Sequence, residues 1–168
     1  MGEKSKRVIT VLFVREYCGF SNFIYFVTGR GYTHASLSLD EENEKFYSFN
    51  FKGFRIEHPK KHSDRYGESA AYCLEVTEEE YEQMKQRIEE MESNSEQLSY
   101  SSLGVFFCLL HIPLKIKNRY FCSQFVAEML QQTKTVRLQK KPSLYYPNKL
   151  VKALENQCCL QNISYNAI

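Results

Sequence analysis

"YTHASLSLDEENEKFYSFNF", residues 32–51, decides the architecture of this chain. Its first half alternates: His34, Ser36 and Ser38 fall on one side of an extended backbone, and Ala35, Leu37 and Leu39 on the other. That period of two belongs to a β-strand. "DEENE", residues 40–44, makes a turn, and "KFYSFNF" returns as a second strand with Phe46, Ser48 and Asn50 on one side and Tyr47 and Phe49 on the other. Strand, short polar turn and strand make an antiparallel hairpin. A further short strand is expected over Gly53–Glu57, followed by a polar loop. Upstream, the apolar run "VITVLFV" from Val8 to Val14 reads as a buried inner strand, and Ala70–Val76 as another.

Helical spacing fills the intervals. Phe20, Phe23, Ile24, Phe26 and Val27 recur at roughly helical intervals, ended by Gly29 and Gly31. Thr77 with Glu80 three residues on is a capping box, ahead of a stripe of Tyr81, Met84, Ile88 and Met91. "YSSLGVFFCLLHI" reads as an apolar, buried helix ended near Pro113. Another helix opens at Cys122 and buries Phe125, Val126, Met129 and Leu130. Pro147 suits the first position of a last helix, with Leu150, Val151 and Leu154 inside. With no repeat or linker in view, the expectation is one α+β domain over residues 1–168, an antiparallel sheet packed against helices.

Composition narrows the function. At 168 residues and 43% hydrophobic, the chain suffices for one core. A net charge of +2 is too small to point to nucleic acid. The acidic run Glu78–Glu92 and the basic run Lys134–Lys152 read as solvated faces. The six cysteines show no CxxC spacing and the four histidines no zinc pattern, so neither metal nor cofactor is implied. The first apolar run is too short for an export signal and lacks a cleavage site. No stretch is long enough to span a bilayer, and a reducing cytoplasm is the expected setting.

Two residues carry chemistry. Cys122, within "RYFCSQFVAEML", starts its helix, where free backbone N–H groups and the macrodipole favour thiolate. Its own N–H is placed to serve an oxyanion, and Arg119 adds positive charge nearby. Helical periodicity also puts Cys122 in the buried stripe, so an inert core cysteine is the competing reading. His34 opens its strand on an unusually polar face, as a base would, although a lone strand-edge histidine is commonly a surface residue. A base needs a third group to orient it. The returning strand offers Ser48 or Asn50, and Glu57, one strand further on, is the stronger orienter electrostatically. Cys18, Cys73, Cys108, Cys158 and Cys159 sit on no helix start and read as structural.

In this order and separation, "THASL" followed by "CSQFV" resembles the circularly permuted papain-like cysteine hydrolases, the YiiX-like branch of the NlpC superfamily. That family places a "SHVGI"-type strand before a helix beginning "CSE(F/L)V". Its "S…I…TG" segment is matched by Ser21–Gly29, and "YSF" at Tyr47–Phe49 is similar to a version in bacterial members. The resemblance covers roughly residues 8–155. It implies a permuted papain-like fold and a Cys122 nucleophile, a His34 base and a polar third residue that falls by position on Ser48, where many relatives carry Glu or His. It further implies an acyl-enzyme formed from a peptide, amino-acid amide or lipid-like acyl substrate, the oxyanion held by the Cys122 N–H and a side chain such as Ser21. Two other functions remain in view at this point: a binding module that keeps the groove for a peptide, amino-acid or lipid ligand, favoured by the neutral Ser48, and a lipid-handling acyltransferase.

Overall fold

The computed structural model of the protein describes residues 5–168; residues 1–4, the start of the N-terminal stretch read above, lie outside them. Among the described residues the chain runs β1 (Lys6–Glu16), α1 (Gly19–Val27), β2 (His34–Ser38), β3 (Phe46–Asn50), β4 (Gly53–Glu57), β5 (Tyr66–Thr77) and α2 (Glu78–Ser93). It continues through β6 (Ser99–Tyr100), α3 (Ser102–Leu109), β7 (Arg119–Tyr120), α4 (Cys122–Gln131), α5 (Pro147–Leu154) and β8 (Leu160–Tyr165). Six strands form an antiparallel sheet in the order β4-β3-β2-β1-β5-β8, and β6 pairs with β7 in a small parallel one. The protein is α+β.

β1 lies inside the sheet because Ile9 to Val14 are apolar or β-branched and bury both faces. Partnered residues share a face: Phe13 stands opposite Ala35 and Ala70, and Leu12 opposite Ser36 and Ala71. The Phe13 face meets the helices in the main core. There Leu37, Phe49, Tyr72 and Leu74 join Met84 and Ile88 of α2, Phe125 and Leu130 of α4, and Leu150 of α5. The Leu12 face carries a smaller cluster of Leu12, Val14 and Phe46, covered in part by Ala167 and Ile168 at the end of the chain.

Several expectations change. β5 begins at Tyr66, four residues before the predicted strand. β8 is an extra edge strand, whose largely polar, exposed side chains leave little periodic signal. The 100–112 segment is a shorter helix than its composition suggests. Ser101 Oγ caps α3 by accepting from Gly104 N at 3.1 Å, and His111 leaves the helix at φ 61°. Nor is that helix fully buried: Leu103, Phe106 and Leu110 stand in solvent.

The capping box is present, and its glutamate does more than cap. Glu80 Oε2 accepts from Thr77 N at 3.0 Å, while Oε1 accepts from Lys134 N at 2.7 Å and Thr135 N at 3.0 Å, and Thr135 Oγ1 donates to Oε2 at 2.6 Å. Burial alone would raise its pKa, but these hydrogen bonds hold it down at about 2. Glu80 thereby ties the start of α2 to the chain leaving α4.

Candidate active site

α4 is held where its first residue faces the sheet. Parallel pairing of Tyr100 with Tyr120 and the hydrogen bond from Ser101 N to Tyr120 O, at 2.9 Å, fix β7 immediately ahead of it. Phe125 then packs against Phe49 and Phe54, with ring centroids 5.4 and 6.0 Å apart. Full burial of such a ring contributes about 1.5–3 kcal/mol. Phe121, the residue before the helix, is extended and makes no side-chain cap, and the first turn contains no acid. The N–H groups there are left for a ligand of another kind, and Cys122 stands first among them.

His34 is placed by β1 and by the turn ahead of β2. It pairs with Val14, Thr33 N donates to Val14 O at 2.9 Å, and Tyr32 N donates to Asn148 Oδ1 at 2.8 Å. Gly31 carries φ +133°, and a Cβ there would strike the Asn148 amide, so glycine is required at this close approach.

The sulfur and the imidazole meet. Cys122 and His34 are both buried and line one narrow cleft of about 70 Å³. His34 is hydrogen-bonded to Glu57, and the Cys122 thiol is among the groups that act on its imidazole. Its Nε2 lies 3.1 and 3.0 Å from the two Glu57 carboxylate oxygens, which leaves Nδ1 for the thiol. Burial pushes the imidazole pKa down. The Glu57 and Glu16 carboxylates, with the neighbouring Cys122 thiol and the hydrogen bond to Glu57, outweigh it and carry the pKa well above 6.5. A base whose protonated form is favoured in this way suits a thiolate–imidazolium pair.

Ser48, the third residue that the family pattern indicated, does not orient the imidazole. It is buried on β3 beside β2, and its Oγ donates to Ala35 O at 2.7 Å. The strand's own carbonyl needs that donor, so Ser48 is committed to joining β2 to β3. Glu57, at the end of β4, takes the place beside His34. Asn50 lines the cleft, but its Oδ1 accepts from Lys52 N at 2.9 Å within the β3–β4 turn. Ser21 also lines the cleft, with its Oγ engaged by Glu16 at 3.3 Å and by Cys18 Sγ at 3.1 Å.

Other residues of the cleft were not among the candidates that the sequence singled out. Ser123 Oγ is buried, lines the cleft and has no hydrogen-bond partner among the described residues. Glu16 ends the apolar run of β1, and only the sheet brings its charge toward His34. Burial pushes the Tyr100 phenol up, and the nearby Cys122 and Glu16 add to the effect, so this wall of the cleft carries a neutral hydroxyl. Cys108 shares the cleft, but burial raises its thiol to about 11.

The rest of the wall is apolar, with Phe20, Ile24, Phe51, Val105, Phe121 and Tyr146. A wider polar groove of about 870 Å³ adjoins it through Glu16, Cys18, Asn50 and Phe51, and runs along the 52–66 segment past Arg55, His58, His62 and Arg65. His58 is held by its Nδ1 to Glu44 O at 3.0 Å. All six cysteines are unpaired. Among the described residues no cluster of three or more His, Cys, Asp or Glu is arranged to hold a metal ion, and no helix is long and apolar enough to cross a membrane.

Compared with family models, with curated proteins and with solved structures, the chain matches none of them.

Proposed function

We propose that the protein is a cysteine hydrolase or acyltransferase that works through Cys122, His34 and Glu57 on a permuted papain-like, NlpC-type scaffold. One observation carries the reading: a buried imidazole bonded to a carboxylate shares one narrow cleft with a thiol at a helix start. His34 takes the thiol proton, and the Cys122 sulfur attacks the carbonyl carbon of an amide, ester or thioester. A C–S bond forms while the negative charge moves to oxygen. The free N–H of the first helical turn and the otherwise unpartnered Ser123 hydroxyl are the donors nearest the sulfur in sequence, and Ser21 is already engaged. Collapse breaks the bond to the leaving group, which departs with the proton from His34. Water or another acceptor then attacks the thioester, and the released thiol returns to its pair with His34.

The binding-module alternative drew its support from the neutral Ser48. With Glu57 on the imidazole that support falls away. Six unpaired thiols fit work in a reducing, cytoplasmic compartment.

The test is chemical. At pH 7 a limiting amount of iodoacetamide is expected to modify Cys122 at least tenfold faster than any other cysteine, and His34→Ala to abolish the preference. A p-nitrophenyl ester is expected to leave an acyl group on Cys122, visible in the intact mass and absent in Cys122→Ser. Equal labelling of all six thiols, with no acyl adduct, would overturn the proposal.

A further inference from the structure

Nine of the eleven large apolar side chains exposed among the described residues lie on segments surrounding the cleft. α1 presents Phe23 and Phe26, α3 presents Leu103 and Phe106 with Leu110 just past its end, and Phe51 stands at the β3–β4 turn. The inner sides of the same two helices build the cleft, where Ile24 of α1 packs with Val105 and Cys108 of α3. The two surfaces are continuous. Ring centroids step from Phe23 to Phe20 at 6.5 Å, from Phe20 to Phe51 at 5.0 Å and from Phe51 to Tyr100 at 4.8 Å, leading from solvent to the wall beside Cys122. Scattered exposed apolar residues are ordinary, whereas a gathered set around a catalytic mouth marks an interaction surface.

Charge indicates the occupant. The chain has 20 Asp and Glu, yet residues 17–31 and 102–119 contain none. The cations there are Arg30, Lys115, Lys117 and Arg119, all exposed; Lys115 is paired with Glu128 at 2.8 Å. A second copy docked through these segments would bring cationic, acid-free stretches together and close the cleft. An anionic bilayer accepts both parts, apolar side chains into its acyl region and cations at its phosphates.

We propose that α1, α3 and the β3–β4 turn form a docking face for an anionic membrane surface, and that the substrate is an acyl ester lipid whose chain enters the apolar cleft toward Cys122. The substrate assignment rests on Cys122 being the nucleophile; the docking does not. Cys122 sulfur bonds to the ester carbonyl carbon and the ester C–O bond breaks. The alcohol leaves through the polar groove with the proton from His34, and the acyl group stays on sulfur until water or an acceptor hydroxyl or amine removes it.

The experiment is sedimentation of the full chain with vesicles of phosphatidylglycerol and phosphatidylcholine in equal parts, against pure phosphatidylcholine. Binding to the anionic vesicles is expected. Phe26→Ser and Phe106→Ser are each expected to weaken it about tenfold, and Lys117→Glu with Arg119→Glu to abolish the preference for anionic lipid. Cys122→Ser is expected to bind as the native protein does but to release no fatty acid from phosphatidylglycerol. Vesicle binding without release of fatty acid or acylation of Cys122 in the native protein would overturn the substrate assignment and leave the docking. Failure to bind either vesicle, or binding unchanged in all of these surface variants, would overturn the docking. So would a native dimer in sedimentation velocity that Phe26→Ser and Phe106→Ser disperse.

Discussion

Replacing Glu57 by Gln keeps the shape of the site and removes its charge. At 3.0 Å, opposite unit charges attract by about 5 kcal/mol at an effective dielectric of about 20. Desolvation of a buried imidazole and a half-buried carboxylate cancels much of that, and hydrogen bonds to charged groups contribute about 1.5–3 kcal/mol net. Each pKa unit is about 1.4 kcal/mol. Glu57→Gln is therefore expected to lower the imidazolium pKa by about one to two units and to reduce the thiolate–imidazolium population in proportion. The assay is the second-order rate of Cys122 alkylation by iodoacetamide from pH 5 to 9, read by peptide mass spectrometry. At pH 7 the rate is expected to fall about 10- to 100-fold. The sign follows from His34. Its folded pKa lies above 6.5, so the ion pair stabilises the fold fully below pH 6.5 and loses that contribution as pH rises through the folded value. The stability gap between native protein and Glu57→Gln should accordingly narrow on the alkaline side. Ser48→Ala is the control, expected to leave the alkylation profile in place while costing about 1 kcal/mol through the unsatisfied Ala35 carbonyl. An unchanged profile in Glu57→Gln, or an equal loss in Ser48→Ala, would refute the assignment of Glu57.

Three further outcomes are expected. Glu80 has a folded pKa of about 2 against 4.5, a difference of about 3 kcal/mol. That stabilisation is present above pH 4.5 and is lost as pH falls through 2, so urea unfolding should show Glu80→Gln to be less stable at pH 7 by roughly this amount and much closer to native near pH 2. Gly53 has φ +90°, and a Cβ there would meet the Leu98 carbonyl oxygen; Gly53→Ala should lower stability by about 2 kcal/mol, and the melting temperature by about 4–8 °C. Ser123→Ala is expected to reduce kcat toward a p-nitrophenyl ester by about 100-fold with KM little changed, and to leave iodoacetamide labelling of Cys122 intact; an unchanged kcat would remove Ser123 from the oxyanion site.

The sheet centre was legible because its signals are local. The Val8–Val14 run, the alternation from His34 and the return through Phe46–Asn50 each depend on neighbours within a few positions, and all three are strands. The capping box at Thr77 was readable for the same reason. β8 was not, since an edge strand with one exposed side needs little apolar patterning. The exposed faces of α1 and α3 defeated a different rule. Apolar composition alone says that a helix has something to bury against, but not whether that partner belongs to the same chain.

The two ends of the proposed chemistry were written in the residues: a cysteine at a helix start, where backbone N–H groups converge, and a histidine at the start of a strand. Those properties are fixed by dihedral periodicity and need no distant partner. Which carboxylate or hydroxyl meets the imidazole is a different kind of fact. Ser48 is 14 residues from His34 and Glu57 is 23, and alternation makes both plausible. The demand of the Ala35 carbonyl for a donor commits Ser48 to β2, and the Glu57 carboxylate is the group that meets the ring. Glu16 joins through β1 and Cys122 through the packing of Phe125 on Phe49. Local sequence set what each group is able to do; only packing, which couples residues without regard to their separation, decided which of them meet in one cleft.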